Sequence, residues 1–180
     1  SWSSFRAGFP MLLNMGMSGL AFSGADIGGF IGSPSKELMA RWMEAGVFYP
    51  FCRNHNKSDM PDQEPWAFGT DVTDISRKHI GLRYKLLTYT YTLFEESSRR
   101  NWPVMRAMVF EYPKDRVAAS LDEQFMWGEW LLVAPVTENR RREKNVYLPD
   151  GLWYDFYTGE RVTGSGRKEV DAPIDGLPIF

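Results

Sequence analysis

Two short apolar runs end in side chains able to do chemistry. Leu20-Ala-Phe-Ser-Gly-Ala25 ends at Asp26 and is followed by Ile27-Gly28-Gly29-Phe30; Val47-Phe-Tyr-Pro-Phe-Cys52 ends at Arg53-Asn54-His55. A carboxylate at the C-terminal end of a barrel strand lies where α/β barrels build their active sites. An aspartate before a glycine turn also serves the turn itself, by accepting hydrogen bonds from its amides. His55 has the same two readings, a rim residue or a satisfied buried histidine. If both runs are strands of one parallel sheet, Asp26 and His55 emerge on the same rim. His79 lies inside a helical segment beside Ile80 and reads as a packing or surface residue.

Other chemistries are excluded by what the chain lacks. Cys52 is the only cysteine, so internal disulfides and multi-thiolate zinc sites are impossible. With two histidines, His55 and His79, a three-histidine metal site is impossible as well. Gly24-Ala-Asp-Ile-Gly28-Gly29 lacks the G-x-G-x-x-G spacing, and its aspartate would face an anionic pyrophosphate. No phosphate-binding G-x-x-x-x-G-K-[ST] motif or nucleophile elbow occurs. No cofactor or metal is therefore expected. Lys and Arg number 21 against 23 Asp and Glu, a net charge of −2, which argues against a nucleic-acid binder. Ala7 to Ala25 carries no charge, but Pro10, Asn14 and four glycines make it a poor membrane span. Asn56-Lys57-Ser58 is a formal glycosylation sequon. Aromatic residues at 15% are abundant, as amphipathic-ligand sites and cores both require.

The elements that must carry Asp26 and His55 alternate. Phe5, Phe9, Leu12, Leu13 and Met17 share a helical face over residues 2–17, interrupted by Pro10, and Gly19 ends that helix. Ser33-Pro34 starts a second helix, Ser35 to Ala45, closed by Gly46. Helix, strand, helix, strand is the alternation of a parallel sheet or barrel. Thr73 or Asp74 then caps one long helix to about Ser98, with Ile80, Tyr84, Leu87, Tyr91 and Phe94 as an amphipathic stripe. Beyond residue 100 the texture changes to short strand-like runs at 103–110, 130–136, 145–149, 152–157 and 173–180. Asp150-Gly151 and Thr158-Gly159 turns separate some of them, the pattern of an antiparallel β domain. Arg140-Arg141-Arg142 reads as a solvated turn. The chain begins in apparent mid-domain sequence, which reads as a piece of a longer polypeptide.

Several of these segments together resemble glycoside hydrolase family 31. They are Gly24-Ala-Asp-Ile-Gly-Gly-Phe30, Arg41-Trp42, Phe48-Tyr-Pro-Phe-Cys-Arg-Asn-His55, Gln63-Glu-Pro-Trp66 and Arg83-Tyr84. The likeness continues through Pro103-Val-Met-Arg106, Gln124-Phe-Met-Trp-Gly128, Leu132-Val-Ala-Pro-Val136 and Tyr147 to Asp155. It spans the whole chain in order and is greatest with the α-glucosidase branch. Three positions depart from the family pattern: Thr88, Asn101-Trp102 and Ala107-Met108, all away from the expected pocket.

The resemblance implies an α/β architecture: the last two βα units of a (β/α)8 TIM barrel (residues 1–102), then the start of an antiparallel β-sandwich (103–180). It implies a retaining glycosidase that takes terminal α-linked glucose from an oligosaccharide or α-glucoside, without metal or cofactor. Its acid/base aspartate would lie just before Ser1-Trp2 and its nucleophile on an earlier strand. No carboxylate of this chain is then catalytic, and the chain alone is expected to be inactive. Asp26 matches a pocket aspartate that holds sugar hydroxyls directly or through a neighbouring arginine. Phe30 matches an aromatic lining the sugar site, and His55 a histidine that bonds hydroxyls of the sugar being cleaved. α-Xylosidases, transglucosidases and glucan lyases share the scaffold; a carbohydrate-binding protein without the upstream aspartates is the reading from another class. Substrate linkage, oligomeric state and compartment stay open, although a single cysteine fits the cytoplasm.

Overall fold

A computed structural model describes all 180 residues, Ser1 to Phe180. Helix α1 (Trp2–Met17) starts at Ser1, whose hydroxyl accepts the Ser4 amide at 3.2 Å. Pro10 sits inside the helix without ending it, and Phe5, Phe9, Leu12 and Leu13 form the buried face. Helix α2 (Lys36–Gly46) is capped by Ser35, whose Oγ accepts the Leu38 amide. Every residue from Leu38 to Gly46 is buried, so α2 is a core helix.

The two expected strands are reduced to a pair of extended segments. The Phe51 amide donates to Ser23 O at 3.0 Å, the Ile27 amide donates to Arg53 O at 2.9 Å, and Ile27 and Asn54 form one parallel bridge. The two runs share these contacts alone, too few for a named strand pair. Gly24 permits the approach: a Cβ there would lie 1.9 Å from Phe51 O. Val47 to Tyr49 differ from expectation in another way. They continue α2 as tight turns, with Phe48 N to Ala45 O at 2.9 Å and Tyr49 N to Gly46 O at 3.0 Å. Arg83 then caps the turns, donating to the carbonyls of Val47, Tyr49 (2.9 Å) and Pro50 (3.2 Å). A cation at a helix C-terminal end satisfies carbonyls left without helical partners.

The expected long helix is two: α3 (Thr70–Lys85) and α4 (Leu87–Arg100), separated at Leu86. The N-cap of α3 is Gly69, at φ 103°, four residues before Thr73. The stripe read from the sequence is largely the outer face: Ile80, Tyr84, Leu87 and Tyr91 are exposed, and Val72, Ile75, Ser76, His79, Thr90 and Leu93 face inward. Both faces have helical spacing, and periodicity alone does not say which one meets the core.

The remaining strands are all antiparallel. β1 (Met105–Ala107), β2 (Phe125–Trp127) and β3 (Leu131–Val133) form a meander. β4 (Glu143–Leu148) pairs with β7 (Gly166–Asp171) around the hairpin of β5 (Leu152–Tyr154) and β6 (Arg161–Thr163). The run at 103–110 is cut short because Met108–Glu111 forms a helical turn, α5. The C-terminal run contributes one bridge, Ile179 to Val133, flanked by reciprocal Leu132–Phe180 bonds.

One core joins the two halves. Phe5, Phe9, Trp42, Phe48 and Tyr49 pack in the same cluster as Met105, Phe125, Trp127, Val133 and Ile179. A second cluster, including Met108, Met126, Leu132, Val146 and Trp153, lies within the β half. No helix is long and apolar enough to cross a membrane.

Candidate functional site

The loops that follow the two extended segments carry Asp26 and Phe30 on one side and Arg53 and His55 on the other. Arg53 donates to Asp26 Oδ1 through Nε at 2.8 Å and approaches the same oxygen through Nη2 at 2.6 Å. Asp26 makes no side-chain bond to the turn amides; the turn is closed by its main-chain carbonyl, which accepts Gly29 N at 2.9 Å. The turn-stabilising role open in the sequence is thus taken by the backbone. The Arg53 guanidinium also lies 5.1 Å from the centre of the Phe51 ring. Sequence reasoning placed an arginine near Asp26 but did not number it. The usable signal was that Arg53 ends the run expected to pair with the run ending at Asp26.

Phe30 and His55 meet across the same gap, with ring centres 5.7 Å apart and planes tilted by 30°. Both are exposed, so His55 is not the buried histidine of its alternative reading. Gly28 and Gly29 have φ of 88° and 92°, a backbone path that side-chain-bearing residues rarely follow, and this turn brings Phe30 back over the second loop. The Lys57 amide donates to Phe30 O at 2.9 Å and pins it there.

Gln63, which sequence analysis noted only within a motif, lies beneath both loops. Its Nε2 donates to Ile27 O at 2.8 Å and Gly29 O at 3.2 Å, and lies 3.3 Å from Asn54 Oδ1. Asn54 Nδ2 donates back to Gln63 O at 2.8 Å.

The rim therefore offers a half-buried carboxylate with one unengaged oxygen, and an exposed guanidinium, imidazole and aromatic face. Such a set suits a polyhydroxylated ring: acceptors and donors for hydroxyls, and an apolar face for C–H groups. No group of three or more metal-ligating side chains is present anywhere in the chain. His79 is in a different place. It is buried between α3 and α2, with Nε2 3.2 Å from Asp175 O and 3.7 Å from Glu44 Oε1. Burial lowers its pKa to about 4 and raises that of Glu44 to about 7. Cys52 is half-buried, and burial pushes its thiol pKa up, consistent with a structural role.

Comparison with known proteins places the whole chain in one family. Residues 1–93 match the glycosyl hydrolases family 31 TIM-barrel domain, and residues 101–180 match the family 31 C-terminal domain. Over 99% of its length the chain is 41% identical to alpha-glucosidase 2 of Bacillus thermoamyloliquefaciens and 40% identical to neutral alpha-glucosidase C of Mus musculus. It covers 23% and 20% of those proteins, so it spans about a fifth of the length of the relatives it matches. Its whole length superposes on a family 31 dextranase of Flavobacterium johnsoniae in complex with glucose, with a TM-score of 0.95, 39% identity and 23% of that chain covered. A family 31 α-xylosidase from a soil metagenome, in complex with xylose, matches over the whole chain and 30% of its own, with a TM-score of 0.93 and 31% identity. Carrying part of the TIM-barrel domain joined through a shared core to the C-terminal domain, the chain belongs to glycosyl hydrolase family 31.

Proposed function

We propose that this chain supplies part of the sugar-binding wall of a retaining glycosidase that releases terminal α-linked glucose from oligosaccharides or α-glucosides. In this reading residues 1–102 are the last two βα units of the (β/α)8 barrel, and residues 103–180 begin the antiparallel β-sandwich. Asp26, Phe30 and His55 bind substrate. The nucleophile and the acid/base belong to barrel segments outside residues 1–180, so the chain by itself turns over no glycoside. Retention needs two carboxyl groups about 5–5.5 Å apart, one attacking and one alternating as acid and base. The rim's task is to hold the ring between them. Asp26 accepts from a hydroxyl, Arg53 fixes the carboxylate and donates where it can reach, His55 bonds a second hydroxyl, and Phe30 covers an apolar face.

The observation that carries this reading is the convergence of the Asp26–Arg53 pair and the Phe30–His55 contact on one rim. The α-glucosidase names of relatives at about 40% identity support glucose as the sugar. The likeness to the xylose-bound α-xylosidase favours a second reading, in which the sugar lacks the hydroxymethyl group.

The test is hydrolysis of an aryl α-glucoside and an aryl α-xyloside by the full-length protein, with the first-formed anomer read by proton NMR. Faster glucoside cleavage giving α-glucose first is expected. Faster xyloside cleavage selects the second reading, β-anomer first overturns retention, and no turnover of either sugar points to a binding protein.

A further inference from the structure

We propose that Gln63 is a positioning residue: its buried amide clamps the loop carrying Asp26 and Phe30 to the loop carrying Arg53 and His55. The proposal rests on the sugar-site reading above and extends it to a residue that faces no solvent. Gln63 is 4% exposed. Its Nε2 lies within reach of three acceptors on two separate loops: Ile27 O and Gly29 O on one, Asn54 Oδ1 on the other. The opposite amide orientation would set an oxygen against two carbonyls, so the donor assignment follows from the partners. The return bond from Asn54 Nδ2 to Gln63 O makes the tie to the second loop reciprocal.

Two features show the clamp is built into the turn. A Cβ at residue 28 would lie 2.6 Å from the Gln63 amide, so Gly28 leaves the space the clamp fills. The two extended segments share only the bonds at Ser23–Phe51 and Ile27–Arg53, and beyond them the one main-chain tie between the loops is Lys57 N to Phe30 O, at the outer end of the turn. The Gln63 amide joins the backbone of the first loop to the Asn54 side chain of the second. A binding wall set by two loops loses affinity when their spacing is free to vary, because the ligand must then order them itself.

Gln63→Met and Gln63→Glu in the full-length protein test this. Methionine keeps the length and bulk and removes the donor. Glutamate keeps the shape and regains one donor when protonated. For Gln63→Met we expect KM for an aryl α-glucoside and the inhibition constant of glucose to rise about tenfold, with a smaller change in kcat. Hydrogen exchange should quicken in residues 26–32 and 53–57 and stay unchanged in α2. For Gln63→Glu, glucose affinity relative to wild type should recover as pH falls and the acid protonates. A loss of active fraction with KM and the glucose constant unchanged would mean a merely structural role and overturn the proposal, as would wild-type exchange in both segments. If the wild-type protein binds no sugar, the sugar-site reading fails by itself, and the exchange experiment still decides whether Gln63 ties the loops.

Discussion

Asp26 and Glu44 are both carboxylates beside an arginine, and their surroundings set them apart. Asp26, its side chain 16% exposed, sits at the rim against Arg53, which is 45% exposed. Glu44 is sealed at 1% exposure with Arg41 and His79. Burial outweighs the Arg41 guanidinium and raises the Glu44 pKa to about 7, while burial lowers that of His79 to about 4. Glu44 therefore stabilises the fold most below its unfolded value of 4.5, and that contribution is lost as pH rises through 7. His79 acts in the opposite sense: its contribution is complete above 6.5 and is lost as pH falls toward 4. Between these limits the two slopes oppose each other. Relative to wild type, Glu44→Gln should gain stability with rising pH across roughly 4.5 to 7, and His79→Gln should lose it across roughly 4 to 6.5. Denaturant midpoints at several pH values measure both, and parallel profiles in all three proteins would contradict the assignment. None of this could be read from sequence. His79 and Glu44 stand far apart in the chain, and only packing of α3 on α2 makes them neighbours. Asp26 and His55 were legible because each ends an apolar run, a local signal. Arg53 was visible but not its partner.

At the scale of elements, the sequence identified where α1, α2 and the strands β1, β3, β4 and β5 lie, because caps, glycines and apolar runs are local, and it offered no run for β2, β6 or β7. It overstated the two parallel strands, since pairing depends on neighbours that a run of apolar residues does not reveal. It found a helical stripe in the α3–α4 region without showing which face meets the core, because that region has apolar residues on both sides. The parallel contact depends instead on Gly24. Gly24→Ala would press a methyl group into Phe51 O, which lies 1.9 Å from the added carbon. The backbone must then part, at a cost of about 1–3 kcal/mol. A lowered denaturant midpoint together with weakened glucose binding is expected. Wild-type values for both would show that the two segments need not touch to set the rim.

For the molecule as a whole, Arg41 joins the halves. Buried in α2, it donates to Glu44 Oε2 at 3.0 Å and to the carbonyls of Arg141, Ala172, Pro173 and Gly176 at 2.7–3.1 Å. The Arg140–Arg142 run, read as a solvated turn, docks on the same helix, with Arg142 Nη1 2.6 Å from Glu37. Removing one partner of such a buried network costs about 3–5 kcal/mol. Arg41→Ala should lower the denaturant midpoint accordingly, and Arg41→Lys should not restore it, because one ammonium cannot span five acceptors. A wild-type midpoint in Arg41→Lys would show that charge alone suffices. The change of texture near residue 100 was legible, but the shared core was not, since Phe9 and Phe125 meet only in three dimensions.

The central claim, that the rim holds the sugar, is tested most directly at His55. His55 is exposed and packs only lightly on Phe30, so His55→Ala should leave the melting temperature of the full-length protein nearly unchanged. Loss of a hydroxyl bond that tightens in the transition state should cost about 2–4 kcal/mol. The measurement is kcat/KM on an aryl α-glucoside, with Lys114→Ala, an exposed residue of the β half, as control. A fall of roughly 30- to 1000-fold for His55→Ala, with the control unaffected, is the predicted result. Near wild-type kcat/KM for His55→Ala would remove it from the sugar site and take with it the placement of Asp26 and Phe30 on the same rim.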